Sequence, residues 1–290
     1  MVPGLPWMDA LGMGILGLLI GSFLNVVIYR LPKMMERQWA AECAELCGKE
    51  PEEAKPFNLV VPRSACPHCG HTIRWYENIP VLSYVALGGK CASCKAGISV
   101  RYPVVEIVTA GLFAAAGSHY GASALGLAWS AFAAILVALF LIDFDTQLLP
   151  DDLNYPLLWL GLLVAAMGYG VPLKSAVFGA ALGYLSLWSV FQVHHLLTGK
   201  IGMGHGDFKL LAALGAWFGA EYLIAIILLS SLVGSILGAI LIVVGRLANK
   251  DIPIAFGPFL AGAGLLLFVV GPGTLASWVP FAFPFGIIAG

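Results

Sequence analysis

Two groups of acidic residues, far apart in the sequence, lie where apolar segments end. The first holds four acids within ten positions, from Asp143 to Asp152, directly after an apolar run, and the second is Asp207. Ionisable groups at a bilayer cost about 2.5 to 3.5 kcal/mol each on insertion scales, so their presence indicates function. Two carboxylates brought within a few ångströms cannot both ionise and therefore share one proton. One can act as a base on water while the other polarises a carbonyl, and we expect Asp143 and Asp207 to form such a pair.

The residues around these acids have expected roles of their own. Gly204 and Gly206 would let the backbone turn sharply and lie close to a bound peptide. Asp151 and Asp152 follow Pro150, a placement that suits the amino-terminal end of a helix. A solvated loop charge is the alternative role for each member of the expected pair.

The composition places these acids in a membrane protein. Of the 290 residues, 60% are hydrophobic and 11% are charged, against about 25% charged in soluble domains. Ten of the fifteen Lys and Arg residues lie between Arg30 and Arg101, so one polar domain interrupts an apolar chain. The net charge of -1 gives no basic field that would attract nucleic acid.

Eight apolar runs predict helices in the bilayer. A crossing needs about 20 residues because a helix rises about 1.5 Å per residue. Seven runs meet or approach this length, and they lie near residues 9–29, 104–121, 124–142, 153–171, 173–196, 222–245 and 254–273. The eighth run, Leu210 to Ala220, is about half as long. It is expected as a short or tilted span, or as a re-entrant element.

Basic residues set the expected orientation and the domain plan. Arg30, Lys33 and Arg37 follow the first run, and the positive-inside rule places them in the cytosol. No Lys or Arg precedes that run, so a cleaved signal is not expected. The predicted fold is an all-α polytopic membrane protein with about eight transmembrane helices. We expect a first helix at 1–30, a cytosolic loop domain at 31–103, a membrane core of about seven helices at 104–275 and an irregular tail at 276–290.

The loop domain carries a candidate metal site. Cys66 and Cys69 form one CxxC pair, Cys91 and Cys94 form another, and 21 residues separate the pairs. Disulfides are disfavoured in the cytosol, so the paired spacing indicates metal ligands. Four thiolates at about 2.3 Å fill the tetrahedral shell of zinc and leave no position for a reacting water. The spacing therefore predicts a structural, zinc-ribbon-like site.

Other metal-binding side chains lie near these pairs. His68 and His71 could replace a ligand, although four thiolates already suffice and solvent-facing turn histidines are the simpler interpretation. Cys43 and Cys47 lie on an expected helix from Glu36 to Glu50 and are predicted to be free thiols.

Further short motifs are distributed along nearly the whole chain. They are Gly21-Ser-Phe-Leu-Asn25 with Arg30-Leu-Pro32, Asn78-Ile-Pro80 with Ser83-Tyr84, Arg101-Tyr-Pro103 with Glu106, and Gly204 to Asp207. Together with the CxxC pairs and the stretch from Asp143 to Asp151, this ordered set resembles the bacterial type IV prepilin peptidases, which are also N-methyltransferases.

The resemblance implies an activity and its partners. Members of that family cleave the short basic leader of prepilins and pseudopilins after a glycine, at the cytosolic face of the inner membrane, for type IV pilus assembly and type II secretion. Their catalytic aspartates correspond to Asp143 and Asp207. They then methylate the new amino terminus with S-adenosylmethionine, whose site in this chain would lie in the amino-terminal portion. The candidate residues for it are Asn25, Arg30, Asn78, Arg101 and Glu106, and docking of the loop is the alternative role for each.

Two other classes of function are compatible with part of the pattern. A proton-coupled transporter could use the same carboxylates as a relay, but relays favour acids near the bilayer midplane, whereas these acids cluster at one edge. A membrane scaffold that recruits partners through its zinc loop would leave the acids without a role. The sequence carries no indication of oligomeric state.

Overall fold

The computed structural model describes residues 6–48, 56–200, 202–243 and 255–283, and these residues are predominantly helical. Their α-helices are α1 (Pro6–Leu46), α2 (Leu82–Ala86), α3 (Arg101–Tyr120), α4 (Ala124–Thr146), α5 (Asp151–Ala166), α6 (Leu173–Thr198), α7 (His205–Phe218), α8 (Leu223–Val243), α9 (Gly257–Val270) and α10 (Pro272–Trp278). Strand-like pairing in these ranges is confined to two isolated bridges, Ala65 with Thr72 and Lys90 with Gly97. The predicted all-α class is confirmed.

Fewer helices than expected meet the length and hydropathy of a membrane span. Among the described residues, four do so, within α1, α4, α6 and the segment Ala220–Ile240 that contains most of α8. A fifth arises if α9 and α10, which are bent by 106° at Gly271, count as one span. The runs near 104–121 and 153–171 and the shorter Leu210 to Ala220 do form helices α3, α5 and α7. The structure does not confirm these three as spans, because α5 and α7 have only 16 and 14 residues and α3, although 20 residues long, is not apolar enough to meet the required hydropathy.

The chain divides into two compact units, Met1–Ala134 and Ile135–Gly290. In the first unit, α1 continues through Pro32 to Leu46, well past the expected span at 9–29. It packs along α3, where glycines allow close backbone contact. A Cβ on Gly17 would lie 2.7 Å from the Cα of Ala110, and a Cβ on Gly21 would lie 2.7 Å from the Cα of Glu106.

In the second unit, α7 lies among other helices and is buried along nearly its whole length. Gly179 and Gly183 of α6 contact the α7 backbone at Gly215 and Leu211. On the α5 side, the indole N–H of Trp217 donates a buried hydrogen bond of 2.9 Å to the carbonyl of Leu157. These contacts fix the level at which α7 begins, and that level determines where Asp207 lies.

The carboxyl-terminal part is partly regular. Helix α10 reaches Trp278, inside the segment that was expected to be irregular from residue 276, and a short 3-10 turn follows at Pro280–Ala282. Residues 284–290, the rest of the predicted tail, lie outside the described ranges.

The close contact of α6 with α7 predicts a destabilised Gly179→Ala variant. The added methyl would overlap the carbonyl oxygen of Gly215 and lie 2.8 Å from its carbonyl carbon, and overpacking of this kind costs about 1 to 3 kcal/mol. Thermal unfolding in detergent should show a midpoint several degrees lower than that of the unsubstituted protein. Gly111→Ala on α3 is the control, because no atom lies within 4 Å of its Cβ position. Equal midpoints in the two variants would contradict the packing assigned to α6 and α7.

Candidate active site and metal centre

Asp143 lies in the last turns of α4 and is almost fully withdrawn from water. Its exposed fraction is 4%, whereas Asp145, two residues later, is exposed. One carboxylate oxygen, Oδ2, has no hydrogen-bond partner among the described residues. The structure therefore distinguishes the two acids of the Asp-Phe-Asp sequence and buries the first.

Asp207 lies in the first turn of α7 and is buried in the same way, with an exposed fraction of 7%. The backbone N–H of Gly204, the residue just before the helix, lies near this carboxylate and interacts favourably with its charge, while Oδ1 of Asp207 has no hydrogen-bond partner within the described part of the chain. The two carboxylates are close enough to interact electrostatically. The structure thus brings together the two acids that the sequence analysis paired.

Leu149 packs between the glycines that surround this aspartate pair. A Cβ on Gly206 would lie 2.6 Å from the Cβ of Leu149, and one on Gly257 would lie 2.9 Å from its Cδ1. Gly206 is therefore required by the packing of Leu149, rather than by the sharp turn that the sequence analysis expected. Gly204 is extended, with φ of -78°, and its Cβ position is 3.8 Å from Oδ2 of Asp207, so the backbone beside the acid is open.

Two neighbouring polar residues hold the surrounding helices. Lys209, two residues after the buried Asp207, donates to both carboxylate oxygens of Asp151 at 2.7 Å. Asp151 and Asp152 lie in the first turn of α5 as expected, and the ion pair of Asp151 links α5 to α7. Asn154 is fully buried and donates to the carbonyl of Leu149 at 3.3 Å.

Sequence reasoning missed several of these residues. Gly257 contacts Asp143 from the start of α9, yet a Gly-Pro pair at a helix start signals only a helix boundary. Leu149 lies in a predicted connection and Asn154 at the start of the run predicted near 153–171, and neither carried a chemical signal. Their role depends on contacts between segments far apart in the chain.

The aspartate pair can perform hydrolysis. Two buried carboxylates in electrostatic contact share a proton, and each has one oxygen without a hydrogen-bond partner among the described residues. A water held between them would lose a proton to one carboxylate, while the protonated partner would donate a hydrogen bond to a carbonyl oxygen.

In the first unit, the four cysteines of the loop converge as predicted. Their sulfur atoms all lie within 4.8 Å of one another, with 3.8 Å between the sulfurs of Cys66 and Cys94 and 4.0 Å between those of Cys69 and Cys91. A tetrahedral zinc with bonds of about 2.3 Å requires sulfur separations of about 3.8 Å. The cluster therefore fits zinc.

Local hydrogen bonds prepare this cluster for a cation. Backbone N–H groups of Cys94 and Ser93 lower the pKa of the Cys91 thiol to about 6, which favours the thiolate that binds metal, whereas burial and the neighbouring cysteines raise the pKa of Cys94 to about 11. His71 instead contacts Glu77 at 3.1 Å, and it is not part of the group of converging ligands. Cys43 and Cys47 are exposed and lie outside the converging group, and their being free thiols stays a prediction.

The first unit also contains a cavity of about 520 Å³, which we call the loop cavity. It is lined by four of the five residues considered for the methyl donor, namely Asn25, Arg30, Asn78 and Glu106. Arg101 is not among the lining residues. Three tyrosines, Tyr29, Tyr84 and Tyr102, line it as well, as do Cys66 and Cys91 of the cysteine cluster.

Two of the lining candidates make hydrogen bonds that give them a structural role. Arg30 donates to the carbonyls of Asn58 at 2.9 Å and Pro62 at 2.6 Å, so it fastens the loop to α1. Asn25 donates to the carbonyls of Gly21 and Tyr102, and it thereby links α1 to the start of α3.

Carboxylates give the loop cavity an anionic wall. Glu106 is 8% exposed and accepts a hydrogen bond from the Val81 backbone N–H at 2.7 Å, and the Ser22 side chain lies near its carboxylate. The backbone N–H of Arg74, with the His71 ring beside it, holds the pKa of Glu77 below its usual range. Such a wall favours a cationic ligand.

Comparison with known proteins links these sites to named sequence families. Residues 15–120 match the family described as "Bacterial Peptidase A24 N-terminal domain", and residues 130–239 match the "Type IV leader peptidase family". Three relatives carry the name "Prepilin leader peptidase/N-methyltransferase". The one from Pseudomonas aeruginosa is 56% identical and covers 92% of each chain. The one from Pseudomonas putida is 52% identical and covers 91% of each, and that from Aeromonas hydrophila is 50% identical and covers 95% of each. No solved structure matches the chain.

The cysteine cluster predicts one tightly held zinc ion per chain. Cys66→Ser removes one of four thiolates, so we expect it to lower both the zinc content, measured by elemental analysis of the purified protein, and the yield of folded protein. Cys43→Ser is the matched control because that thiol lies outside the cluster and is exposed. A purified unsubstituted protein with essentially no zinc would rule out the assignment.

Proposed function

Because the chain belongs to the type IV leader peptidase family, we propose that it is a bifunctional membrane enzyme. It cleaves the leader of type IV prepilins and pseudopilins after a glycine, and it then N-methylates the new amino-terminal residue. The enzyme would serve type IV pilus assembly and type II secretion from the bacterial inner membrane. The observation that carries the peptidase is the burial of two interacting carboxylates that each present an unpaired oxygen.

Peptide cleavage follows from the chemistry of the aspartate pair. One carboxylate removes a proton from water as the oxygen attacks the carbonyl carbon of the scissile bond, and the protonated carboxyl donates its proton to the carbonyl oxygen. Collapse of the tetrahedral species breaks the carbon–nitrogen bond, and the amine leaves with the proton taken from water. Neither carboxylate is consumed, and the shared proton is restored.

The number of membrane crossings is supported by the direction of the helices that meet at the site. Asp143 lies near the end of α4, whereas Asp207 and Gly257 lie at the starts of α7 and α9. For these three points to lie at one level, the chain must cross an even number of times between each two of them. Crossings by α5 and α6, and then by α7 and α8, satisfy this condition. We therefore retain eight spans, with α3, α5 and α7 as the short or more polar ones.

The distribution of positive charge supports a cytosolic position for the helix ends that carry the aspartate pair. Arg30, Lys33 and Arg37 follow the first span, and Lys200 and Lys209 flank the start of α7. The positive-inside rule places such residues on the cytosolic side, so the aspartate pair would act on leaders that remain in the cytosol. The acids lie at helix ends rather than mid-helix, which favours a peptidase over a proton-coupled transporter.

The loop cavity is the proposed site of the methyl donor. Its volume of about 520 Å³ lies within the range of about 300 to 1,000 Å³ typical of ligand pockets. S-adenosylmethionine supplies a methyl group on a cationic sulfonium and carries an adenine ring. Carboxylates at Glu77 and Glu106 suit the cation, and the tyrosines offer faces for the ring. Asn25 and Asn78 add polar groups to the wall, Arg30 shapes it by holding the loop, and Arg101 falls outside it.

The cysteine cluster supports this cavity structurally. A filled thiolate shell has no position for a reacting water, so zinc at Cys66, Cys69, Cys91 and Cys94 would hold the loop together rather than take part in catalysis. Because Cys66 and Cys91 also line the cavity, loss of the metal would deform one of its walls.

Removal of either buried acid should abolish cleavage. Asp143→Asn and Asp207→Asn each remove one of the two carboxyl groups that share the proton. We expect the rate of cleavage to fall at least about 100-fold. The measurement is leader removal from a synthetic prepilin by purified protein in detergent. Asp152→Asn is the control. That acid is exposed, so the variant should cleave normally. Normal cleavage in both buried-acid variants, at unchanged expression, would end the peptidase proposal.

Glu106→Gln should weaken binding of the methyl donor without affecting peptide cleavage. The substitution keeps the size of the side chain but removes its charge, and a charged hydrogen bond contributes about 1.5 to 3 kcal/mol. We expect binding of S-adenosylhomocysteine, measured calorimetrically, and methylation of a pre-cleaved pilin peptide both to fall about tenfold or more. Glu42→Gln, at an exposed position of α1, is the control. Unchanged binding in the Glu106 variant would remove that residue from the donor site.

A further inference from the structure

The first turn of α9 contacts Asp143 directly. The backbone N–H of Gly257, the first residue of α9, lies near the Asp143 carboxylate and interacts favourably with its negative charge. The first N–H groups of any helix have no partner within it, so this donor is available without cost to the helix. Both residues belong to the second unit.

Asp143 needs such a donor because of its place on α4. It lies in the last turns of that helix, where the negative end of the macrodipole opposes a carboxylate charge. Asp207 has the opposite situation, since it lies in the first turn of α7, where the N–H of Gly204 at the same helix end lies near its charge. Asp143 must therefore obtain its favourable helix end from another element, and the start of α9 provides it.

The contact also leaves no room for a side chain. A Cβ on Gly257 would overlap Oδ2 of Asp143 and lie 3.1 Å from its Cγ. Gly257 does not have a positive φ, so the requirement for glycine comes from the closeness of the carboxylate and not from backbone conformation.

We propose that Gly257 is a positioning residue of the peptidase: its N–H and its lack of a side chain hold the Asp143 carboxylate facing Asp207. This inference rests on the proposed function, since it assigns a role within the cleavage reaction. Displacement of the carboxylate should slow the chemical step, because a misplacement of about 1 Å costs about 100-fold in rate. Binding of the prepilin should change little.

The test compares two alanine variants on the same helix. Gly257→Ala should lower kcat about 100-fold with KM within about threefold of its original value, as expected when transition-state interactions alone are lost. Gly262→Ala is the matched control, because its Cβ would meet only Phe140, at an ordinary 3.9 Å, and it should keep full activity. A kcat of Gly257→Ala within threefold of that control would overturn the proposal.

A double-mutant cycle separates the acid from the packing of Leu149, which also lies 2.9 Å from the Gly257 Cβ position. If the contact with Asp143 is what matters, Gly257→Ala will lower kcat by the same factor in a Leu149→Ala background. If the effect of Gly257→Ala disappears in that background, Leu149 rather than Asp143 requires the glycine, and the proposal fails.

An ester variant removes the donor without adding an atom. Incorporation of glycolic acid at position 257 replaces the N–H by oxygen, and it decides the question if Gly257→Ala does not fold. We expect a lower kcat at unchanged KM, whereas full activity would overturn the role of the N–H. The unsubstituted protein and Asp143→Asn are assayed in parallel. If the unsubstituted protein does not cleave prepilin, the proposed function fails, whereas cleavage that is insensitive to position 257 refutes only this inference.

Discussion

The burial of two neighbouring carboxylates is the constraint on which the second unit depends. A carboxylate withdrawn from water is costly unless hydrogen bonds or a shared proton compensate for the lost hydration. The backbone N–H of Gly204, at the start of its own helix, lies near Asp207, and that of Gly257, at the start of α9, lies near Asp143. Three helix ends must therefore meet at one level. The close contact of α6 with α7 through Gly179 and Gly183 and the ion pair of Lys209 with Asp151 help keep α7 at that level.

The residues assigned to the two reactions lie in different units of the chain. The aspartate pair and the glycine that holds it belong to residues 135–290, whereas the loop cavity and the cysteine cluster belong to residues 1–134. This division matches the separate sequence families found for residues 15–120 and 130–239. Among the described residues, the buried carboxylate of the first unit is Glu106, and those of the second are Asp143 and Asp207. We therefore expect substitutions that alter one reaction to leave the other intact.

Sequence predicted those features that depend on local spacing or on ordered motifs. The cysteine cluster follows from two short gaps, and Asp143 and Asp207 stand out because acids are rare in apolar chains. Continuity of α1 through Pro32 was not foreseen, because proline usually breaks a helix. The role of Gly257 was also missed, since it arises from one N–H and one absent methyl at a contact between distant segments. Length and hydropathy likewise could not establish how many short helices cross the bilayer, since α5 and α7 are stabilised by neighbouring protein.

The first helix anchors the chain in the membrane and also fixes how far Arg30 lies from the start of the helix. Arg30, whose guanidinium holds the carbonyls of Asn58 and Pro62, is 24 residues after Pro6, or about 36 Å along the axis at about 1.5 Å per residue. That is close to the thickness of the hydrocarbon core, about 30 Å. Inserting or deleting one residue in this stretch would shift the guanidinium axially and rotate it by about 100°, away from both carbonyls. The length of α1 that crosses the bilayer thus sets the position of Arg30. Through Arg30, it also sets where the loop is attached to the helix.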